Sequence, residues 1–177
     1  MDAMKEQVIL ALAIFLSVLS GQSFAEGDAT LSADQVRHGC SIVLHKIYRS
    51  DVDSNVNAAV FDQQILWKCT GADAIPIGTI GAEGNGPEIV TIFYRANEIV
   101  VLARWTSGSA GATFQGEFYQ VNAYRLEKAG NRTTFRAEPN ITKAFGDGHD
   151  GMLDDKRVTF PYKNAAAIHA RLKELGL

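Results

Sequence analysis

Two cysteines fall at matching phases of two alternating segments, and this coincidence constrains the chain more than any other feature. From Cys40 onward, Cys40, Ile42, Leu44 and Tyr48 alternate with Ser41, His45 and Arg49. Between Gln63 and Thr70, Ile65, Trp67 and Cys69 alternate with Gln64, Lys68 and Thr70. A period of two marks strands with one face buried. Antiparallel pairing with Cys40 opposite Cys69 sets Ile42 against Trp67 and Leu44 against Ile65, so the apolar faces coincide. A Cys40–Cys69 disulfide is therefore expected to close the open end of a hairpin. The hairpin's loop, Ser50 to Asp62, is long and acidic, a kind of connection that often carries function.

A disulfide requires an oxidising compartment, and the N-terminus supplies a route to one. A short polar stretch with Lys5 precedes an apolar run from Val8 to Leu19, and Ser23-Phe24-Ala25 places small residues where signal peptidase needs them. That run is shorter than the ~20 residues a membrane span requires. Residues 1–25 thus read as a cleaved secretory signal, with a retained anchor as the competing reading. The exported chain is expected to begin with a linker over 26–35, followed by a single globular domain over 36–177. With Asp2, Lys5 and Glu6 removed, the 17 basic and 20 acidic residues of the full chain become 16 and 18. A net charge of −2 leaves no electrostatic footprint for nucleic acid. Asn131 and Asn140 begin glycosylation sequons, relevant only in a eukaryotic source; a bacterial periplasm is the expected location.

Further strands are predicted over Ile75–Ile80, Glu88–Arg95, Glu98–Trp105, Glu117–Leu126, Arg132–Glu138 and Val158–Phe160. EIVTIFYR and EIVVLARW are nearly continuous in apolar residues and suit central strands covered on both faces. Ala96-Asn97 between them suits a two-residue turn with Asn at positive φ. A helical turn is expected from Thr30 to Val36 with Ser32 as its cap, and another after Asn140. Gly146 to Asp155 reads as an acidic, glycine-rich loop. After Pro161 a helix over about 163–175 places Ala165, Ile168, Leu172 and Leu175 on one stripe. The fold class is α+β, an antiparallel meander of six to eight strands with the C-terminal helix packed on it.

Enzyme signatures are mostly absent: no G-x-S-x-G, H-E-x-x-H, C-x-x-C, Walker loop or Rossmann fingerprint. No two of His38, His45, His149 and His169 stand at a metal-binding spacing. Asp147, His149, Asp150 and Asp154 crowd into FGDGHDGMLDD and form a candidate binding loop. Calcium prefers several oxygen ligands from one flexible loop, but the EF-hand pattern fails there, since glycines occupy two of the three ligand places before Gly151. The competing reading is a tight turn in which Gly supplies positive φ and Asp bonds its own backbone. Ser107 and Ser109 in the Gly-rich 106–116 stretch lack the helix start that a phosphate loop needs. Trp67, Tyr94, Trp105 and Tyr119 lie on predicted strands, where they form either an exposed aromatic binding surface or part of a core that buries both sheet faces.

The function expected from these residues is that of an exported, non-catalytic binding protein of the bacterial cell envelope. It would act as an inhibitor or immunity-type partner of another secreted or envelope protein, with loops 50–62 and 146–155 as contact points. A calcium- or small-ligand-binding module, or an envelope hydrolase, is the alternative.

Overall fold

The computed structural model describes residues 28–50, 60–108, 113–130 and 132–176. The first sheet holds β1 (Ala29–Ser32), β2 (Cys40–Tyr48), β3 (Phe61–Cys69) and β4 (Ile75–Ile80), hydrogen-bonded in sequence order. The second holds β5 (Glu88–Arg95), β6 (Glu98–Ser107), β7 (Phe114–Ala129), β8 (Arg132–Ala137), β9 (Asp147–Leu153) and β10 (Lys156–Val158). Its order is β10-β9-β7-β6-β5. One edge of β7 belongs to β6; the other is shared, β9 pairing Phe114–Gln120 and β8 pairing Tyr124–Ala129. Among the described residues there are also two short helices, α1 (Pro139–Phe145) and α2 (Ala165–Glu174). All strand pairs are antiparallel and α2 packs on the second sheet, so the fold class is α+β as the alternation predicts.

The β2–β3 register is the one that the matched phases demand: Cys40 opposite Cys69, Ile42 opposite Trp67 and Leu44 opposite Ile65. The disulfide between Cys40 and Cys69 is formed.

β6 separates two cores. Ile99, Val101, Ala103 and Trp105 face the first sheet and pack with Ile42, Ile65, Trp67, Ile77 and Ile80. Val100 and Leu102 face the other way, toward Ile141 and Phe145 of α1 and Ile168 and Leu172 of α2. A strand buried on both faces loses alternation and reads as continuously apolar. β5 has the same composition but lies at a sheet edge. Ile89, Ile92 and Tyr94 pack into the first core and Val90 and Phe93 into the second, because both outer layers reach across it.

Several expectations are corrected. Residues 29–32, placed in the 26–35 linker, form β1, which pairs with Ser41–Leu44. Ser32 does not cap a helix; Asp34 ties down the turn that follows, accepting from the Ser32 hydroxyl and the Gly39 N–H. Gly146–Asp155 is not a loop, since Asp147–Leu153 is strand β9, closed by a tight turn with Asp154 and Asp155 at φ +48° and +59°. The positive φ of the β5–β6 turn falls on Ala96, not Asn97. The last strand ends at Val158, and Phe160 is buried beyond it. α2 starts later than expected: Asn164 is its N-cap, accepting from the Ala167 N–H at 2.9 Å. Ile168 and Leu172 of the predicted stripe are buried, whereas Leu175 stays exposed. The proposed signal, 1–25, and most of the 50–62 loop lie outside the described residues.

Candidate functional site

Strand directions gather four connections at one end of the molecule. The β2–β3, β4–β5, β6–β7 and β9–β10 connections all leave from the end opposite the disulfide. Their roots are cross-linked by polar contacts. The Arg49 N–H donates to the Val60 carbonyl at 3.0 Å, closing the base of the β2–β3 loop. Asp62 Oδ1 accepts from Arg49 Nη2 at 2.6 Å and from the Ala82 N–H at 2.8 Å, tying that base to the β4–β5 loop. The Arg49 guanidinium, with the Ala82 N–H, holds the Asp62 carboxyl below its ordinary range. Asn85 Nδ2 donates to the Thr106 carbonyl at 2.8 Å, and Trp105 Nε1 to the Gly81 carbonyl at 3.1 Å. The Asp154 N–H donates to the Thr113 carbonyl at 2.9 Å, joining the β9–β10 turn to the start of β7.

Charges of both signs are exposed at this end: Glu83, Asp154 and Asp155 stand on the described roots, with Lys46, Arg49 and Lys156 beside them. Tyr48 is exposed and packs against Phe61, with ring centroids 5.7 Å apart, while Lys46 Nζ stands 4.7 Å above the Phe61 ring. The opposite end carries the disulfide and a shallow open groove of about 370 Å³ lined by Ser41, Lys68, Thr70 and Asp73.

The candidate binding-loop residues do not converge. Neighbours on a strand point to opposite faces, so His149 and Asp150 are separated by the sheet. His149 lies among Phe114 and Phe118, ring centroids 4.3 and 5.2 Å away. Asp150 faces the helical side, where Lys163 Nζ at 2.7 Å and the Phe160 N–H at 3.2 Å engage it. Lys163, then the Phe160 N–H, holds its carboxyl below the usual value. Asp147 opens β9 opposite Gln120, and Asp154 sits in the turn. Among the described residues, no group of three or more His, Cys, Asp or Glu is arranged to hold a metal ion.

The aromatic surface is not a surface. Trp67 and Trp105 are 1% and 4% exposed, inside the core between the sheets. Tyr119 is 4% exposed and stacks on Phe160 in the other core. Tyr94 is half-buried, its hydroxyl donating to the Ser32 carbonyl at 3.2 Å, and burial raises its pKa. All four rings pack into the two cores.

A charged row escaped the sequence reading. Arg104 binds Glu88 at 2.7 Å through Nη2 and Glu117 at 2.7 Å through Nη1, and the Tyr119 hydroxyl donates to Glu117. Burial and then Glu117 raise the Tyr119 pKa. One guanidinium holds both carboxylates, so the row ties β5, β6 and β7 together. Its one sequence signal is that Glu88, Arg104 and Glu117 are the charges bracketing long apolar strands. At the other end of this face Glu98 pairs with Arg95 and Arg125, and Glu138 with Arg125 and Arg136.

No protein-family model, curated protein or solved structure matches the chain.

Proposed function

We propose that this chain is an exported, non-catalytic binding protein of the bacterial cell envelope that holds another secreted or envelope protein, in the manner of an inhibitor or immunity protein, through its loop end. The observation that carries the reading is the gathering of four connections, polar and cross-linked at their roots, at one end of a rigid double sheet. Binding loops held by a rigid scaffold are a common arrangement for recognition. The exposed carboxylates Glu83, Asp154 and Asp155 fit basic groups on a partner, and charge complementarity of that kind speeds encounter and selects among partners. The disulfide supports an oxidising location. Among the described residues no helix is long and apolar enough to cross a membrane.

The test is photo-cross-linking of the purified chain in periplasmic extract, with the probe at Glu83 in the loop end or at Lys128 on the far end. The Glu83 probe is expected to capture a discrete protein that unlabelled chain competes away and that moderate salt weakens. Equal capture from both positions, or none from Glu83, overturns the reading. A calcium module makes a different prediction: added calcium raises the melting midpoint and EDTA lowers it. The binding-protein reading expects the midpoint to stay where it is.

A further inference from the structure

β5 is a terminal strand of the second sheet. β6 pairs with one side of it, and among the described residues no strand pairs with the other. An open edge is a template for another strand, and proteins usually blunt it with short length, proline or charges pointing inward. β5 has eight residues, EIVTIFYR, without proline, and all but Glu88 are half-buried. Its charges are confined to its two ends.

The register makes those ends complementary. Val90 is bulged out, with Ile89 opposite Ala103 and Thr91 opposite Leu102. The regular ladder positions are therefore Glu88, Ile89, Thr91, Ile92, Phe93, Tyr94 and Arg95 in succession. In an unbulged strand Glu88 and Arg95 would point to opposite faces. The bulge brings them to the same face, opposite Arg104 and Glu98, which both lie on the helical side. The series is symmetric about Ile92. Antiparallel pairing with a second copy about a two-fold axis at Ile92 sets Glu88 against the partner's Arg95, Ile89 against the partner's Tyr94 and Thr91 against the partner's Phe93. Opposite charges thus meet at both ends, with apolar or aromatic pairs between them, the combinations that stabilise cross-strand neighbours. One patch used by both subunits is the isologous geometry of a two-fold dimer. His169 of α2 packs on Phe93, ring centroids 4.2 Å apart, on the helical face of the strand.

We propose that the chain forms a two-fold dimer by antiparallel pairing of its β5 edges, which joins two copies of the second sheet into one continuous sheet. The inference is independent of the binding reading, because lateral pairing leaves the loop end of each copy open. Sedimentation velocity of the purified chain is expected to show twice the mass of a single chain. Ile92→Cys is expected to cross-link with itself under mild oxidation. Thr91→Cys is expected to cross-link with Phe93→Cys in a mixture, and much less with itself. Arg95→Glu places like charges at both ends and is expected to weaken the dimer about tenfold or more; adding Glu88→Arg to it restores association relative to the single variant. A chain that sediments as a monomer at its highest soluble concentration overturns the proposal. So does an Ile92→Cys variant that cross-links no faster than a Lys128→Cys control, or a dimer indifferent to Arg95→Glu.

Discussion

Gly116 and Gly151 face each other across β7 and β9 at φ +149° and +152°. A Cβ on Gly116 would overlap the Asp150 carbonyl, and one on Gly151 the Gln115 carbonyl. Both positions thus require glycine for backbone conformation and for room. Gly116→Ala is expected to destabilise the chain by at least ~1–3 kcal/mol, the usual cost of forcing a side chain into a sparsely populated region, as read by urea unfolding. Asp150 makes a prediction of a different kind. Its folded-state pKa is depressed from the ordinary value of 3.8 by Lys163 and then by the Phe160 N–H. A depressed carboxyl contributes stability above its unfolded pKa and loses it as pH falls through the folded one. Asp150→Asn is therefore expected to melt lower than the parent at pH 7, with a gap that narrows below about pH 4 and closes in stronger acid. A gap independent of pH would show that the carboxylate's charge is not what holds Phe160 and Lys163. These residues also explain why β9 was hidden in the sequence. Glycine and aspartate are poor strand formers, and their use here, close backbone approach and a side chain reaching to a distant lysine, depends on tertiary neighbours.

Among the elements, the β2–β3 hairpin is held twice, by its apolar register and by its disulfide. Replacing Cys40 and Cys69 together with Ala is expected to cost about 3–4 kcal/mol on the chain-entropy estimate for a loop of this length. The register should survive, because Ile42–Trp67 and Leu44–Ile65 specify it independently; hydrogen exchange across β2 and β3 would show protection kept in pattern but reduced in depth. α2 rests on a cap and a stripe. Removing the Asn164 acceptor with Asn164→Ala is expected to cost about 1 kcal/mol, or roughly 2–4 °C in melting temperature for a chain of this size. The hairpin was legible because each signal, period, cysteine phase and cross-strand match, is local to two segments. β1 was not, because ATLS carries no period of its own and is a strand only where Ser41–Leu44 offers an edge. The ends of β7 were hidden too, since Phe114–Gly116 reads as a loop until β9 lies beside it. Of the candidate site, the acidic segments were visible, but their shared end was not: it follows from strand directions in both sheets.

At the scale of the whole molecule, one strand links two cores. β6 sends Val101 and Ala103 into the core between the sheets and Val100 and Leu102 into the core beneath the helices. Ile42 belongs to the first and Leu172 to the second, and the second sheet stands between them. Each is almost completely buried, so Ile42→Ala and Leu172→Ala are each expected to cost roughly 2–5 kcal/mol. Distant sites that share no partners add to within about 0.3–0.5 kcal/mol, so the double variant is expected to lose the sum of the two. Additivity would not mean that the cores melt separately. Losing either one uncovers a face of β6, whose other face the remaining core needs in place, so each variant should still unfold in a single urea transition with the parent's slope. If Leu172→Ala instead gives two transitions, with the helices leaving first and the disulfide-closed sheet later, the second sheet does not couple its two faces. The loop end would then rest on the first sheet and the strands it packs against, rather than on the whole molecule.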